Sequence, residues 1–294
     1  MACVLLNAHA RGGRAAALAA PMAAWLQGRG VPLFVSDSIA AARAHLATRP
    51  RGERVVLVGG DGTLHQLLPA LLAGGHELGL VPHGSGDDSA RALGLRGLRW
   101  PEALAFALDA PARAVDIGLL RTEHGEQPFF SSVNAGFDAA VAQRALAAPR
   151  WLRGLPRYLL ATLQELLHLQ LHSLRLDADG QPVHDGPALF VSALNTPSYG
   201  GGMPAVPGAR IDDGRLDLLL AGRFGRVGTL AMLPRLLIGQ HLGHREVRCQ
   251  PFTALQIQSE RPLPLAADGE PVASAQQVQI RVHSAKLAVV RRAA

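Results

Sequence analysis

The chain has 294 residues, more than a single hydrophobic core usually accommodates, so two domains are expected. Hydrophobic residues make up 48% of it, charged residues 18% and aromatic residues 4%, which excludes a disordered chain and predicts mainly aliphatic cores. The formal net charge of +6 suits an anionic lipid, a nucleotide or simple solubility, whereas no basic run is interleaved with aromatics as a nucleic-acid surface requires.

The first third of the sequence alternates strand-like and helix-like segments, which predicts a parallel sheet with right-handed crossovers. The predicted strands are 2–6, 31–35, 55–58, 78–81 and 114–120. The predicted helices are 15–27, 39–47, 64–72 and one that begins at Trp100, where Pro101 suits the first turn.

From about residue 115 the pattern changes to short apolar runs separated by Gly, Pro and Asp, which predicts a mostly antiparallel domain. The runs are 129–133, 188–194, 216–220, 255–258, 278–282 and 286–290. Two helices are expected to interrupt them: an amphipathic one over 155–172, with Leu163, Leu166 and Leu167 on its apolar face, and one over 227–238. We therefore expect domains of 1–117 and 118–294, with the last few residues able to return to the first.

The cysteines and the lengths of the apolar runs indicate in which cellular compartment the protein is expected. Cys3 and Cys249 lie far apart and match no metal or redox spacing, which favours buried thiols in a reducing compartment. The apolar start of the chain, 1–6, is too short for a signal segment. No run approaches the ~18 apolar residues that span a bilayer, so we expect a soluble or peripheral protein.

The most informative segment is Gly59-Gly60-Asp61-Gly62-Thr63, between a predicted strand and a predicted helix. Such a turn points several backbone N–H groups at one spot, where the helix dipole also favours an anion. Asp61 would repel a phosphate unless a metal ion balances it, so we interpret the segment as a site for a Mg²⁺-nucleotide. A tight structural turn is the alternative.

Two other loops are expected at the same edge of the sheet, where open α/β sheets bind ligands. Residues 7–13 begin with Asn7, which offers a side-chain amide, and residues 82–91 contain Gly84 and Ser85. The plain alternatives are an ordinary βα loop and an N-capped short helix.

Acidic segments also mark the second half. The aspartates at 212, 213 and 217 follow a glycine-rich segment, 199–203, and either offer oxygens to a cation such as Mg²⁺ or Ca²⁺ or form a solvated turn. Asp268-Gly269-Glu270 is either a solvated turn or the source of a base that accepts a proton from a substrate hydroxyl.

In this order, these segments resemble the lipid kinase family that includes bacterial diacylglycerol kinases, sphingosine kinases and ceramide kinases. The 59–63 segment is also shared with NAD kinases and phosphofructokinases, whereas residues 134–138, 199–203, 213–217 and 268–270 look like second-domain signatures of the lipid kinases. The resemblance implies an α/β N-terminal domain of the NAD kinase/phosphofructokinase-like three-layer type with a parallel sheet. It further implies a C-terminal antiparallel β-sandwich domain and ATP bound in the cleft between the two.

The resemblance also implies roles for individual residues. The nucleotide-binding residues would be Asn7, Ser36, Gly59, Gly60, Asp61, Gly62, Thr63, Gln66, Gly84 and Ser85. The catalytic residues would be Asp61 near Mg²⁺ and Glu270, helped by Asp268, as acceptor of the hydroxyl proton. A structural cation, Mg²⁺ or Ca²⁺, would be held by the Asp213 carboxylate and the backbone carbonyls of Arg210 and Arg215.

Three positions depart from the family pattern. His65 and Gln66 stand where an asparagine and a glutamate are common, and Asp87 where an asparagine is usual, so metal use or nucleotide affinity is expected to be atypical. The leading interpretation is ATP-dependent phosphorylation of a lipid hydroxyl, on diacylglycerol or a sphingoid base. An NAD kinase-like enzyme and a non-catalytic nucleotide- or lipid-binding protein are the alternatives.

The expected partners are a lipid substrate and a membrane surface, with no nucleic acid and with a homodimer as an option. An apolar groove for acyl chains is placed beside the 155–172 helix. Arg150, Arg153 and Arg157 around Trp151 would contact anionic headgroups, or simply form a solvated helix start. We expect a cytoplasmic protein associated peripherally with the membrane and active in phospholipid biosynthesis.

Overall fold

Two structural units make up the chain, and the first is discontinuous in sequence. The computed structural model describes residues 2–84, 86–148, 152 and 154–292. One unit comprises Met1–Val115 with Ala285–Ala294, and the other Asp116–Ser284.

The described residues form sixteen β-strands and eight α-helices. The strands are β1 (Ala2–Asn7), β2 (Leu33–Ser36), β3 (Arg54–Gly59), β4 (Glu77–Pro82), β5 (Ala112–Val115), β6 (Gly118–Thr122), β7 (Gly125–Phe129), β8 (Ser132–Gly136), β9 (His172–Ala178), β10 (Gln181–Ala188), β11 (Phe190–Leu194), β12 (Leu216–Ala221), β13 (Val247–Phe252), β14 (Ala254–Ala267), β15 (Glu270–Val282) and β16 (Leu287–Val290). The helices are α1 (Ala19–Gln27), α2 (Ile39–Ala47), α3 (Asp61–Gly74), α4 (Asp88–Ala92), α5 (Trp100–Asp109), α6 (Phe137–Ala147), α7 (Leu155–Glu165) and α8 (Arg226–Leu237).

The first unit is built on a six-stranded sheet in the order β2–β1–β3–β4–β16–β5. Strands β2, β1, β3 and β4 are parallel, as the alternation of strands and helices predicts. β16 joins β4 in parallel and β5 antiparallel. The run 55–58 of β3 is buried throughout, as expected for a parallel strand covered on both faces.

Local signals fix the helix ends of this unit. The Ser38 hydroxyl accepts a hydrogen bond from the Ala41 amide at 3.1 Å and caps α2, which spans the predicted 39–47. α3 ends before Gly75, whose φ of 60° places it in the left-handed region that glycine adopts most easily. The predicted 64–72 helix is thus extended at both ends.

The second unit contains a ten-stranded antiparallel sheet whose main path is β13–β12–β11–β8–β14–β15–β6–β7, with β9 paired to β14 and β10 paired to β9. β14 pairs with β9 over residues 255–259 and with β8 over 265–267, and its register with β15 shifts between these two stretches. The irregular stretch allows the long strand β14 to pair with β9 in one part of the sheet and with β8 in another. Both parts pack against the same apolar core.

Two predicted β segments are wrong in their assignment. The 114–120 strand is two strands in different sheets, β5 and β6, because Asp116 between them is buried and its amide donates to the Ile211 carbonyl at 2.6 Å. The run 286–290 belongs to the first sheet, where β16 fills the place between β4 and β5. It is therefore not a strand of the antiparallel domain.

The predicted 155–172 helix is too long. α7 ends at Glu165, a short 3₁₀ turn follows over Leu166–His168, and His172 already starts β9. The expected apolar face is only partly buried, since Leu166 is buried whereas Leu163 and Leu167 are exposed.

The two cysteines differ in exposure. Cys3 is buried and burial raises the pKa of its thiol to about 11, whereas Cys249 is exposed, so the prediction of two buried thiols is wrong for Cys249. Within the described parts of the chain, no helix has the length and apolar character needed to cross a membrane.

Candidate functional site

Four parallel strands of the first unit end at one edge of the sheet. Asn7 at the end of β1 is the register partner of Ser36 at the end of β2. Gly59 at the end of β3 is the partner of Pro82 at the end of β4, and β1 lies beside β3. The structure therefore brings Asn7, Ser36 and Gly59 together at the carboxyl edge, where such sheets bind ligands.

Two of these side chains are held by protein groups. The Asn7 side-chain amide donates to the Thr63 hydroxyl at 2.9 Å, which ties β1 to the first turn of α3. Ser36 is buried and its hydroxyl donates to the Ser38 carbonyl at 2.6 Å. Asn7 and Ser36 thus shape the edge of the sheet, and their contacts with a nucleotide stay a prediction.

The glycine loops after β3 and β4 pack backbone against backbone. A Cβ atom placed on Gly60 would lie 2.7 Å from the Gly84 Cα, and one on Gly84 would lie 2.8 Å from the Gly60 Cα. A Cβ on Gly59 would lie 2.9 Å from the Thr63 Cβ. These contacts explain the glycines sterically, because no larger residue fits without moving a loop.

The N-terminus of α3 opens at these glycines. Gly60 is the N-cap and provides no side chain, while the Thr63 and Leu64 amides turn back to its carbonyl at 3.0 and 3.1 Å. A helix start of this kind directs its first amides and the positive end of the dipole toward an anion. Further along, the Gln66 carbonyl accepts two hydrogen bonds from the Arg43 guanidinium, at 3.0 and 2.8 Å.

Asp61 makes a contact that sequence reasoning missed. Its two carboxylate oxygens accept hydrogen bonds from the Asp88 amide at 3.1 Å and the Ser89 amide at 2.9 Å, so it caps α4. The Asp87 carboxylate folds back to accept from the Gly84 amide at 3.0 Å. The acid in the glycine turn therefore has a structural role, and its position near a metal ion stays a prediction.

The electrostatics of this edge involve one residue that the sequence did not single out. Burial, and then the charge of Asp61, raise the pKa of Asp87, while Arg11 and Arg91 act in the opposite direction. Burial and the charge of Arg11 lower the pKa of His83. Arg11 is thus close enough to affect the pKa values of Asp87 and His83. Its position in the 7–13 loop after β1 was the feature of the sequence that could have indicated this.

In the second unit, Asp268 holds a turn. Its carboxylate accepts hydrogen bonds from the amides of Phe130, Ser131 and Ser132 at 3.0, 2.6 and 3.1 Å, and its own amide donates to the Ser132 carbonyl at 2.8 Å. A carboxylate that binds consecutive backbone amides fixes their loop strongly, because such bonds involve a charged acceptor. Asp268 therefore positions the turn that leads to Glu270.

Glu270 differs from Asp268. It is half-buried at the start of β15, where its backbone pairs with Ala267. Among the described residues, its carboxylate has no hydrogen bond or ion pair with another side chain or backbone group. A carboxylate on a fixed turn could accept a proton from a substrate hydroxyl within hydrogen-bond reach, and this role of Glu270 stays a prediction.

A polar network runs through the second unit from the 134–138 segment. Asp138 accepts hydrogen bonds from the Tyr199 hydroxyl and, at 3.4 Å, from the Ser192 hydroxyl. Asn134 donates to the Ser192 hydroxyl at 3.0 Å and accepts from the Ser132 hydroxyl at 3.1 Å. Burial raises the pKa of Asp138 to about 6 against these hydrogen bonds, so this carboxyl binds a proton at a higher pH than an exposed aspartate does.

The predicted cation loop is fixed by a buried acid. The fully buried Asp116 accepts a hydrogen bond from the Gly214 amide at 2.7 Å, and the Asp213 carboxylate accepts from the Arg215 amide at 3.0 Å. Burial, and then the charge of Asp213, raise the pKa of Asp217. The Asp213 carboxylate thus accepts a hydrogen bond within its own turn, and its role in holding a cation stays a prediction.

No ready-made cluster of metal ligands is present in the described parts of the chain, where three or more His, Cys, Asp or Glu side chains nowhere come together in a way that could hold an ion. The Arg210 side chain lies 3.4 Å from Asp212, and its carbonyl role stays a prediction. Ser85, Arg150, Trp151 and Arg153 lie outside the described residues. Arg157 donates to the Ala145 carbonyl, so its guanidinium supports the end of α6.

Comparison with known proteins identifies the family. The diacylglycerol kinase catalytic domain matches residues 1–120, and the YegS C-terminal NAD kinase beta sandwich-like domain matches residues 131–291. A YegS-like lipid kinase of Chromohalobacter salexigens is 32% identical over 223 residues, 74% of this chain and 70% of that protein. The chain therefore belongs to the family of diacylglycerol kinases and YegS-like lipid kinases, which are phosphotransferases.

A diacylglycerol kinase of Mycobacterium tuberculosis is 34% identical over 196 residues, which cover 66% of this chain. The match spans 63% of the length of that relative. Among solved structures, a diacylglycerol kinase from Bacillus anthracis has a TM-score of 0.71 at 16% identity, covering 99% of this chain and 96% of that one. An ATP-bound NAD kinase from Archaeoglobus fulgidus has a TM-score of 0.55 at 11% identity, covering 99% and 94%. The expected fold class is confirmed.

Proposed function

We propose that the protein transfers the γ-phosphate of ATP to the hydroxyl of a lipid, with diacylglycerol as the first candidate. The observation that carries this proposal is the contact of Gly60 with Gly84 at the start of α3. It joins two glycine loops at the end of the sheet where the helix dipole favours phosphate.

The nucleotide half of the reaction is assigned to the first unit. The amides at the start of α3 would bind phosphate oxygens, and the absence of side chains at Gly59, Gly60 and Gly84 lets the nucleotide approach the backbone. Arg11 adds a positive charge at this edge, which offsets the acids at Asp61 and Asp87.

Mg²⁺ fits this edge as an ion that arrives with the nucleotide. Mg²⁺ in kinases is commonly bound by one or two carboxylates together with substrate phosphates, rather than by a cage of protein ligands. Asp61 fits that pattern, because each of its oxygens accepts one amide and keeps further acceptor capacity. The ion would neutralise the charge that develops on the transferred phosphoryl group.

The acceptor half is assigned to Glu270. Its carboxylate would take the proton of the lipid hydroxyl, the hydroxyl oxygen would form a bond to the γ-phosphorus, and the bond from that phosphorus to the bridging oxygen would break, releasing ADP. Asp268 would contribute by holding the turn, as its bonds to the amides of 130–132 indicate.

The test is a kinase assay with γ-labelled ATP, Mg²⁺ and a panel of diacylglycerol, a sphingoid base and NAD. We expect label in phosphatidic acid and none in NADP. Label in NADP alone would replace the lipid kinase with an NAD kinase, and ATP binding without label in any product would indicate a binding protein.

We further propose a place at the cytoplasmic membrane surface, since diacylglycerol resides in a bilayer. Fractionation of cells into cytosol and membranes tests this. Protein found only in the soluble fraction at low ionic strength would contradict it.

A further inference from the structure

The outer face of α8 is apolar and exposed. Val227 is 82% exposed, Leu230 48% and Ile238 64%. Ala231 and Pro234 lie between them on the same exposed face. Scattered exposed hydrophobic residues are ordinary on protein surfaces, but a contiguous group marks an interaction site.

The exposed face continues onto the end of α7 and the 3₁₀ turn after it. The Arg226 guanidinium donates to the Leu166 and Leu167 carbonyls, both at 3.0 Å, and so joins the start of α8 to this turn. Leu167 is 69% exposed and Leu163, one helical turn before it, is 49% exposed. We call Leu163, Leu167, Val227, Leu230 and Ile238 the α7–α8 surface.

Positive charge predominates around this surface. Residues 218–245 contain four arginines and no aspartate or glutamate. Of these arginines, Arg223 and Arg235 are exposed beside the apolar residues of α8. The nearby Glu165 is paired with Arg144 at 2.5 Å, and the first acid after the segment, Glu246, accepts a hydrogen bond from the Arg223 amide at 3.1 Å.

We propose that the α7–α8 surface docks on an anionic phospholipid bilayer. Its apolar side chains would enter the boundary between headgroups and acyl chains, while Arg223 and Arg235 would contact phosphate groups. An exposed apolar helix face flanked mainly by cationic residues is the pattern of peripheral helices that lie in a membrane interface.

A second copy of the chain fits this surface less well. A two-fold contact through the same face would place arginines of one copy near those of the other, with fewer acids than arginines to balance them. A bilayer that contains phosphatidylglycerol supplies the missing negative charge. The inference names where the protein meets a membrane and does not depend on the phosphoryl transfer proposed above.

The test is sedimentation of the full chain with vesicles of phosphatidylcholine alone or with added phosphatidylglycerol. We expect binding to the anionic vesicles, weakened by salt. R223E/R235E should weaken it by at least about 25-fold, since each arginine near an anionic surface contributes about fivefold. The matched control R261E/R281E changes the charge equally at exposed positions away from α8 and should bind nearly as the wild type does. V227Q/L230Q should reduce binding at unchanged charge.

Equal losses in R223E/R235E and R261E/R281E would overturn the proposal, because they would indicate a response to net charge alone. A dimer that V227Q/L230Q dissociates in analytical ultracentrifugation, with vesicle binding intact, would assign the surface to a second copy. Phosphorylation of a dispersed short-chain diacylglycerol separates the two proposals. Turnover without vesicle binding would contradict only the proposal that the α7–α8 surface docks on a bilayer. Vesicle binding without turnover would contradict only the proposed kinase reaction.

Discussion

The carboxylate of Asp61 accepts a hydrogen bond from the Ser89 amide at 2.9 Å, so an acid in the first turn of α3 caps the start of α4. Asp61→Ala removes this acceptor and the one for the Asp88 amide, and should lower the free energy of unfolding by about 1 kcal/mol. Asp61→Asn keeps one acceptor oxygen and should cost less. If Asp61 also binds Mg²⁺, Asp61→Asn will lose turnover far beyond its loss of stability. Urea unfolding and a Mg²⁺ titration of turnover measure the two effects, and full activity in Asp61→Asn would leave Asp61 only its structural role.

Gly60→Ala should abolish tight nucleotide binding while the protein still folds. The new Cβ would stand 2.7 Å from the Gly84 Cα, so the two loops must separate and the amides at the start of α3 must move. Isothermal titration with ATP measures the loss, which we expect to exceed about tenfold because small displacements of a positioned site are costly. Gly28→Ala is the matched control, since Gly28 has a φ of −69° and no atom within 4 Å of a new Cβ. Equal ATP affinity in both variants would contradict the steric argument.

Glu270→Gln should remove catalysis without loss of stability. A general base contributes about 10²- to 10⁴-fold to the rate, and Glu270 makes no side-chain contact among the described residues whose loss would weaken the fold. ATP affinity and the urea midpoint should match those of the wild type. Turnover of diacylglycerol within a few fold of wild type would remove Glu270 from the mechanism.

Asp268→Ala should, unlike Glu270→Gln, destabilise the fold. The substitution leaves the amides of Phe130, Ser131 and Ser132 without their hydrogen-bond acceptor, so the free energy of unfolding should fall by about 2–3 kcal/mol. Turnover should fall as well, because the turn that carries Glu270 loosens, and Asp268→Asn should recover part of both losses. A stable Asp268→Ala protein with low turnover would instead indicate direct participation of Asp268 in the chemistry.

Asp138 should make stability depend on pH. Its pKa is raised from 3.8 to about 6, so the fold favours the neutral form. The stabilisation is complete below pH 3.8 and is lost as the pH rises through about 6. Relative to Asp138→Asn, the wild type should therefore lose about 3 kcal/mol between about pH 4 and neutral pH. Urea unfolding at a series of pH values measures the difference.

Tyr199→Phe provides a second check on Asp138. The Tyr199 hydroxyl donates to the Asp138 carboxylate and lowers its pKa against the effect of burial. Its removal should move the transition to higher pH. A transition that stays in place in Tyr199→Phe, or persists in Asp138→Asn, would assign the titration to another group.

Local patterns predicted the elements whose ends depend on neighbouring residues. α2 begins after the cap at Ser38, and α3 ends before Gly75, and both signals are legible in the sequence. The glycine loops were found for a similar reason, since strand, glycine turn and helix follow one another directly.

Long-range contacts set the features that sequence reasoning missed. The bonds of Asp268 join residues 136 to 138 positions apart, so no local pattern reveals which of the acids at 268 and 270 is engaged. The same holds for Asp61, whose partners in α4 lie on another loop. The 155–172 helix was overestimated because leucine-rich spacing continues through a 3₁₀ turn into the approach to β9.

The position of β16 has a consequence for synthesis. Residues 2–115 leave the ribosome before Leu287–Val290, which supplies the strand between β4 and β5. Until that segment emerges, β4 has an unpaired edge of the kind that nascent chains use for wrong pairings. The sheet of the first unit is thus completed only after the entire second unit has been translated. A chaperone that shields the β4 edge during this interval should raise the yield of native protein.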